Sequence, residues 1–164
     1  MLSKKMQDAL NRQINAELYS SYLYLSMAAH FEAANLKGFA RWMRVQAQEE
    51  TAHGMKIYDF VLARGGKVTL TAIDAPKTEW ASPLAAFKDV YAHEQKVTAL
   101  IDGLVDVARK ETDNAAEVFL HWFVGEQVEE EANASEIVEK LKRIKESANG
   151  LFMLDSVLGK RGGE

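Results

Sequence analysis

Apolar residues recur along most of this chain at alternating steps of four and three, the spacing of one face of an α-helix. Residues 3–34 carry the seam Leu10, Ile14, Glu17, Ser21, Tyr24, Ala28, Phe31, and residues 36–64 carry Phe39, Met43, Gln46, Glu50, His53, Ile57, Phe60. Residues 83–110 carry Phe87, Val90, Glu94, Val97, Ile101, Leu104, Ala108. Residues 114–147 carry Leu120, Phe123, Gln127, Glu130, Ala134, Ile137, Leu141, Ile144. A short fifth helix over 151–158 puts Leu151, Leu154, Val157 and Leu158 largely on one side. Local signals agree with these limits. Ser3 is placed to cap the first helix and Asn35 to stop it, Gly65-Gly66 ends the second, and Ser82-Pro83 opens the third. Glu111-Thr112-Asp113 reads as turn and cap, Asn149-Gly150 as a break, and Lys160 to Glu164 as a frayed polar tail.

Connection lengths then give a topology. Turns of a few residues make the first and second helices antiparallel neighbours, and likewise the third and fourth. The stretch from Gly65 to Ser82 lacks helical period; Val68, Leu70 and Ala72 alternate with polar residues, and Pro76 blocks a helix. About 18 extended residues span up to ~59 Å, more than the ~42 Å of a ~28-residue helix. A structureless segment that long needs a reason, and crossing the full length of the bundle supplies one. The expected fold is all-α: a single domain over 1–164, built as a four-helix bundle with one long crossover between helices two and three and a short fifth C-terminal helix.

Every long seam is interrupted near its middle by acid: Glu17, then Glu50 with His53, then Glu94, then Glu130 beside Gln127. In this topology the interruptions share one layer of the core. A single glutamate on a seam usually reaches out to water. Several together in a low-dielectric layer repel one another and carry a large desolvation penalty, which bound cations relieve. Carboxylates with one imidazole and no thiolate suit iron or manganese. Five donors, with Glu50 able to bridge, are too many for one ion and point to a dinuclear site. Tyr24, seven residues beyond Glu17 on the same seam, is either a group that supports the ligands or a core aromatic with a satisfied hydroxyl. Glu49, Glu126, Glu129, Glu130 and Glu131 form a flanking acidic cluster, either a solvated helix face or a third cation site or exit route.

Composition narrows the chemistry further. The 164 residues suffice for one domain with a sizeable core, and the formal net charge of -4 gives no support for nucleic-acid or membrane binding. The absence of cysteine removes disulfides, iron–sulfur clusters, thiolate catalysis and Cys-ligated zinc. Lys4, Lys5, Asp8, Arg12 and Glu17 interrupt any signal-peptide pattern, and no apolar run reaches the ~18 residues of a membrane span, so a cytoplasmic location is expected.

Four stretches carry a specific likeness: Asn11-Arg12-Gln13-Ile14-Asn15-Ala16-Glu17, Tyr22-Leu23-Tyr24-Leu25-Ser26-Met27-Ala28, Gln48-Glu49-Glu50-Thr51-Ala52-His53 and Glu126-Gln127-Val128-Glu129-Glu130-Glu131. In these the chain resembles the non-haem bacterial and archaeal ferritins over essentially its whole length; ferritin-like di-iron bundles are a well-known use of this architecture. The resemblance implies a dinuclear iron centre, one iron held by Glu17, Glu50 and His53. Glu50, Glu94 and Glu130 would hold the other, with Gln127 nearby, and Glu49, Glu126, Glu129 and Glu130 would form a third site. It implies a ferroxidase that oxidises Fe(II) with dioxygen or peroxide and stores ferric mineral in a homo-oligomeric cage, usually of 24 subunits. Val68 to Ala72 would pair across a two-fold axis and the last helix would line a four-fold pore. Glu117 and His121 are candidates for a three-fold entrance, against the more common reading of an exposed helix face.

Two departures from related families matter. Bacterioferritins ligate haem through a methionine just after the bridging glutamate; Thr51 stands there, so no haem is expected. Bacterioferritins and many di-iron oxygenases carry a second Glu-x-x-His, where this chain has Gln127-x-x-Glu130. The alternatives are a di-iron peroxidase or oxidase of the same superfamily, or a mainly structural cage subunit. A rubrerythrin-type peroxidase would normally add a Cys-ligated iron, and a silent subunit would lack several of these ligands.

Overall fold

The computed structural model of the chain describes residues 1–162, so Gly163 and Glu164 of the expected tail lie outside the described residues. Five helices follow in order: α1 (Lys4–Ala33), α2 (Lys37–Ala63), α3 (Pro83–Lys110), α4 (Asn114–Ile144) and α5 (Ala148–Leu158). Among the described residues there is no strand, and no helix is long and apolar enough to cross a membrane.

The helix ends are made by named groups. The Ser3, Ser82, Asp113 and Ser147 side chains each accept a backbone N–H in the first turn that follows. Helices α1, α2 and α3 close with the same paired bonds: Leu36 N–H to the Phe31 carbonyl, Gly66 N–H to Val61, Asp113 N–H to Ala108, each 2.9 Å. The residue inside each closure is left-handed, with φ 60° at Asn35, 71° at Gly65 and 54° at Thr112. Gly65 takes that conformation without a Cβ clash.

The fourth junction differs from the sequence expectation. Helix α4 ends at Ile144, not 147, at Lys145 with φ 49°, and Asn149-Gly150 sits inside the first turn of α5. Ser147, capping Gly150 N–H at 3.2 Å, starts the new helix earlier than the glycine suggested. A Cβ on Gly150 would lie 2.8 Å from Ile144 Cβ, so the glycine permits close packing here and is not a break.

The crossover runs back along α1 in extended form. Lys67 N–H donates to Gln7, Thr69 N–H donates to Asn11, Asn15 donates to Thr71 and Ala72, and Ser26 donates to the Lys77 carbonyl. Those partners advance along α1 while the crossover itself advances, so it returns to the end where α2 began. Helices α2 and α3 are therefore parallel, as its length required. Val68 is half-buried and Leu70 is exposed.

Helix α5 docks on the start of α2, whose own N-cap, Leu36, has no capping side chain. The missing acceptor comes from Asp155, whose Oδ1 takes Phe39 N–H at 3.0 Å. A carboxylate at a helix N-terminus is also favoured by the helix dipole. The approach is close enough that a Cβ on Gly38 would fall 1.7 Å from the Asp155 carbonyl oxygen. Gly38→Ala is expected to force α5 off its seat and to cost about 1–3 kcal/mol, the range for overpacking. A lowered denaturation midpoint with faster proteolysis near Lys145 would show it; an unchanged midpoint would contradict it.

Candidate metal centre

The apolar core is in two pieces. One gathers Tyr24, Met27, Phe31, Phe39, Met43, Phe87, Ile137 and Leu141 with Leu154 and Leu158 of α5; the other gathers Met6, Leu10, Ile14, Ile57, Ile101, Leu104, Leu120 and Phe123. Between them lie the buried polar residues: Gln13 and Glu17 from α1, Gln46, Glu50 and His53 from α2, Glu94 from α3, Gln127 and Glu130 from α4. The acids are nearly sealed from water, at 1% exposure for Glu17 and Glu94, 2% for Glu50 and 5% for Glu130.

Their ligating atoms converge. One oxygen each from Glu17 and Glu50 and one nitrogen of His53 lie within 4.8 Å of one another, as do oxygens of Glu50, Glu94 and Glu130. Glu50 belongs to both groups. The His53 Nδ1 lies 3.3 Å from Glu50 Oε2. Amide and hydroxyl donors hold the carboxylates: Gln13 on Glu17 Oε1 at 2.8 Å, Gln46 on Glu50 Oε1 and Glu130 Oε2, both at 2.8 Å. Gln127 Nε2 donates to Glu94 Oε2 at 3.2 Å, and Tyr24 donates its hydroxyl to Glu94 Oε1. Glu17 Oε2 is buried with no hydrogen-bond partner. A buried, orphaned carboxylate oxygen beside an imidazole is what a cation position needs.

The electrostatics point the same way. Burial first, then the Glu50 charge, pushes Glu17 up to about 8. Burial and then the Glu94 charge push Glu130 up to about 7 and Glu50 well above the usual carboxylate range. Burial also raises Glu94, although the Tyr24 and Gln127 donors oppose it. Each shift marks an anion that wants a counter-charge. The donor set is all oxygen with one nitrogen, which fits iron or manganese.

A profile of the Ferritin-like domain matches residues 7–144. The chain belongs to the ferritin family. It is 48% identical over 161 residues to a bacterial non-heme ferritin of Bacteroides fragilis, covering 98% of this chain and 100% of the relative. A bacterial non-heme ferritin of Staphylococcus saprophyticus is 44% identical, with 98% and 96% covered. Among solved structures, an open pore ferritin from Archaeoglobus fulgidus superposes with a TM-score of 0.98 at 57% identity, covering 98% of this chain and 99% of that one. An engineered closed form of the Archaeoglobus fulgidus ferritin gives the same TM-score and identity, covering 100% of each.

Around the centre of this ferritin chain, two of the four acids expected at a third site, Glu126 and Glu130, come together beside His53. Glu126 Oε1 approaches His53 Nε2 at 3.8 Å and forms a further group with His53 and Glu130. Glu129 is exposed, and Glu49 is held by Arg161, whose Nη2 donates to it at 2.6 Å. Arg161 lies over the Trp42 ring, and its carbonyl accepts Arg41 Nε at 3.0 Å. The described part of the tail is thus docked, contrary to the expected fraying, because a guanidinium has a carboxylate and an aromatic face to pair with. Glu117, considered for an entrance, accepts Arg109 Nε at 2.8 Å.

Tyr24 is fully buried and its hydroxyl is satisfied by donation to Glu94. Sequence reasoning gave no role to Gln13 and Gln46, although each precedes its glutamate by four residues, the helical spacing for an amide-to-carboxylate bond. It also missed Thr98, which donates to Glu131 at 2.6 Å and accepts from Gln127 at 3.3 Å. Only the tertiary fold brings that pair together.

The raised acids have a consequence for stability. A carboxyl whose folded pKa lies above its unfolded one keeps its proton longer when folded, so ionising it opposes folding. Cation-free protein should lose thermal stability as pH rises from ~5 through the values near 7 and 8 for Glu130 and Glu17, and added Zn(II) should reduce that loss. Melting temperatures measured across that window test it; a rise with pH in the cation-free protein would contradict it.

Proposed function

We propose that this chain is the ferroxidase subunit of an iron-storing cage, with residues 1–164 forming one domain. The observation that carries the proposal is the sharing of Glu50 between two buried ligand groups, Glu17–Glu50–His53 and Glu50–Glu94–Glu130. Two ferrous ions held there as substrate would sit side by side. That is the arrangement for passing an electron pair to one oxidant, dioxygen or peroxide. Each ferrous ion loses one electron; dioxygen, taking up two electrons and two protons, leaves as hydrogen peroxide.

The protein's own part is electrostatic. Ferrous ions displace the protons that Glu17 and Glu130 retain near neutral pH, and the four ionised acids then offset part of the charge of the ferric product. The Tyr24 and Gln127 donors fix both oxygens of Glu94, limiting its swing as charge builds. Asymmetry supports storage over a resident di-iron cofactor: among the described residues His53 is the only imidazole in the two ligand groups, and Gln127 and Glu130 stand where a symmetric site would repeat Glu-x-x-His. A product bound mainly by carboxylates can be handed on, and Glu126, half-buried beside His53, offers the next oxygen. We read Glu126, Glu129 and Glu130, joined by Glu49 once Arg161 moves, as the third site.

The assembly belongs to the same proposal. The apolar side chains Phe152, Met153 and Val157 on α5 and Leu70 and Ile73 on the crossover are exposed in one subunit. Burial between copies would cover them, and we infer a homo-oligomer, a 24-subunit cage in a cytoplasmic setting.

Aerobic addition of Fe(II) should give rapid oxidation and a soluble particle holding far more than three irons per subunit. Glu50→Ala and His53→Ala should slow the initial rate by at least about tenfold, the scale for losing a metal ligand's support, while assembly by light scattering persists. Unchanged initial rates in both would refute the site. Replacing Glu49 and Glu126 together by alanine should leave the first two irons per subunit oxidised normally and alter later turnover. Identical multi-turnover time courses would remove the third site from the mechanism.

A further inference from the structure

The hydrogen bonds across the polar layer are not shared evenly between the two ligand groups. Gln46 lies one helical turn before Glu50 and is 1% exposed. Its Nε2 donates to Glu50 Oε1 and to Glu130 Oε2, at 2.8 Å each, joining α2 to α4 across 84 positions of sequence. Both hydrogens of the amide are therefore spent on carboxylates. Its own oxygen, Oε1, is buried and has no partner. Reversing the amide would point a carbonyl oxygen at two carboxylates, so the donors must face the acids. Gln13 offers an internal contrast. It has the same spacing from Glu17 and the same 2.8 Å bond, yet it touches one acid only.

We propose that Gln46 is a positioning residue for the second cation position, clamping the shared Glu50 to Glu130 across two helices. This rests on the reading that Glu50, Glu94 and Glu130 hold a cation. Without a cation, neighbouring carboxylates repel and gain by turning apart. A single NH2 group donating to both keeps one oxygen of each within reach of a common ion. Its hydrogen bonds survive cation binding, because each carboxylate oxygen has a second lone pair for the metal. Gln13 does the corresponding work for the first position, through Glu17 alone. Gln46 also touches the first position through the shared Glu50, but only there does Gln13 hold a ligand, and only at the second does Gln46 hold two.

Partners of this kind typically contribute 10–100-fold to metal affinity when they orient a ligand. The assembled protein is titrated calorimetrically with Zn(II), which has no redox chemistry. The Glu94→Ala variant, whose carboxylate belongs to the second group alone, identifies which binding step belongs to the second position. Gln46→Leu keeps the side-chain volume and removes both donors. It should weaken the second step about 10–100-fold and move the first far less, since Glu17 and His53 remain. Gln13→Leu should give the opposite pattern. A general loss of packing would weaken both steps in both variants, and that result would overturn the proposal. So would a second step unchanged in Gln46→Leu. Gln46→Met, unbranched like glutamine, repeats the comparison if the leucine variant does not assemble. If Glu94→Ala removes no step seen in the wild-type protein, the cation position itself is refuted, which separates that failure from a failure of the clamp.

Discussion

Mutual repulsion among Glu17, Glu50, Glu94 and Glu130 is the constraint the rest of the molecule accommodates. Four acids sit in a layer nearly free of water, with packed apolar clusters above and below. Burial raises the pKa of every one of them. Such a layer would weaken a bundle unless something held it in register. The apolar clusters do that mechanically, and the Gln13, Gln46, Gln127 and Tyr24 donors do it locally. Neutral donors are the informative choice. A lysine or arginine in their place would cancel the charge permanently and leave no role for a cation.

The scaffold serves this layer through its ends. Each helix contributes its interruption near mid-length, so the four meet only if the helices are aligned along their axes. Capping side chains and the repeated left-handed closures fix where helices start and stop. The crossover is pinned to α1 by Gln7, Asn11, Asn15 and Ser26, which sets the axial position of α3 relative to α1. Arg64 meets Asp113 at 3.0 Å and 3.1 Å, tying the end of α2 to the cap of α4. Helix α5, anchored through Asp155 and Gly38, closes the opposite end.

How much of this was legible in the sequence depends on the range of the interaction. Periodicity is local, so the seams could be read directly, and Glu17, Glu50, His53, Glu94 and Glu130 stood out because they violate it. The length of the 65–82 segment revealed the parallel relation of α2 and α3, because a chain can reach only so far. Long-range partners left little trace. Nothing near Leu36 indicates that Asp155 will supply its missing cap, and nothing near Lys160 indicates that Arg161 will find Glu49 and Trp42. Asn149-Gly150 misled because glycine has two uses. Its small size served close packing against Ile144, while the break fell at Lys145.

The two candidate ligand groups differ in how firmly their side chains are tied, and this bears on whether a metal held there would stay or pass through. Glu94 has both oxygens engaged, by Tyr24 and Gln127, and Glu130 is joined to Glu50 by Gln46. Glu17 keeps one buried oxygen without a partner, and beside it His53 turns Nδ1 toward Glu50 and Nε2 toward Glu126. The first group therefore has unspent binding capacity, whereas the second is restrained by hydrogen bonds. A permanent cofactor would favour two equally saturated positions. Inequality suits a substrate instead. On the proposed function, one ion would be captured by the freer ligands, a second would complete the pair, and oxidation would change the balance of charge. Glu126 then lies on the far side of the same imidazole, so a departing ferric ion would meet a carboxylate before it met water.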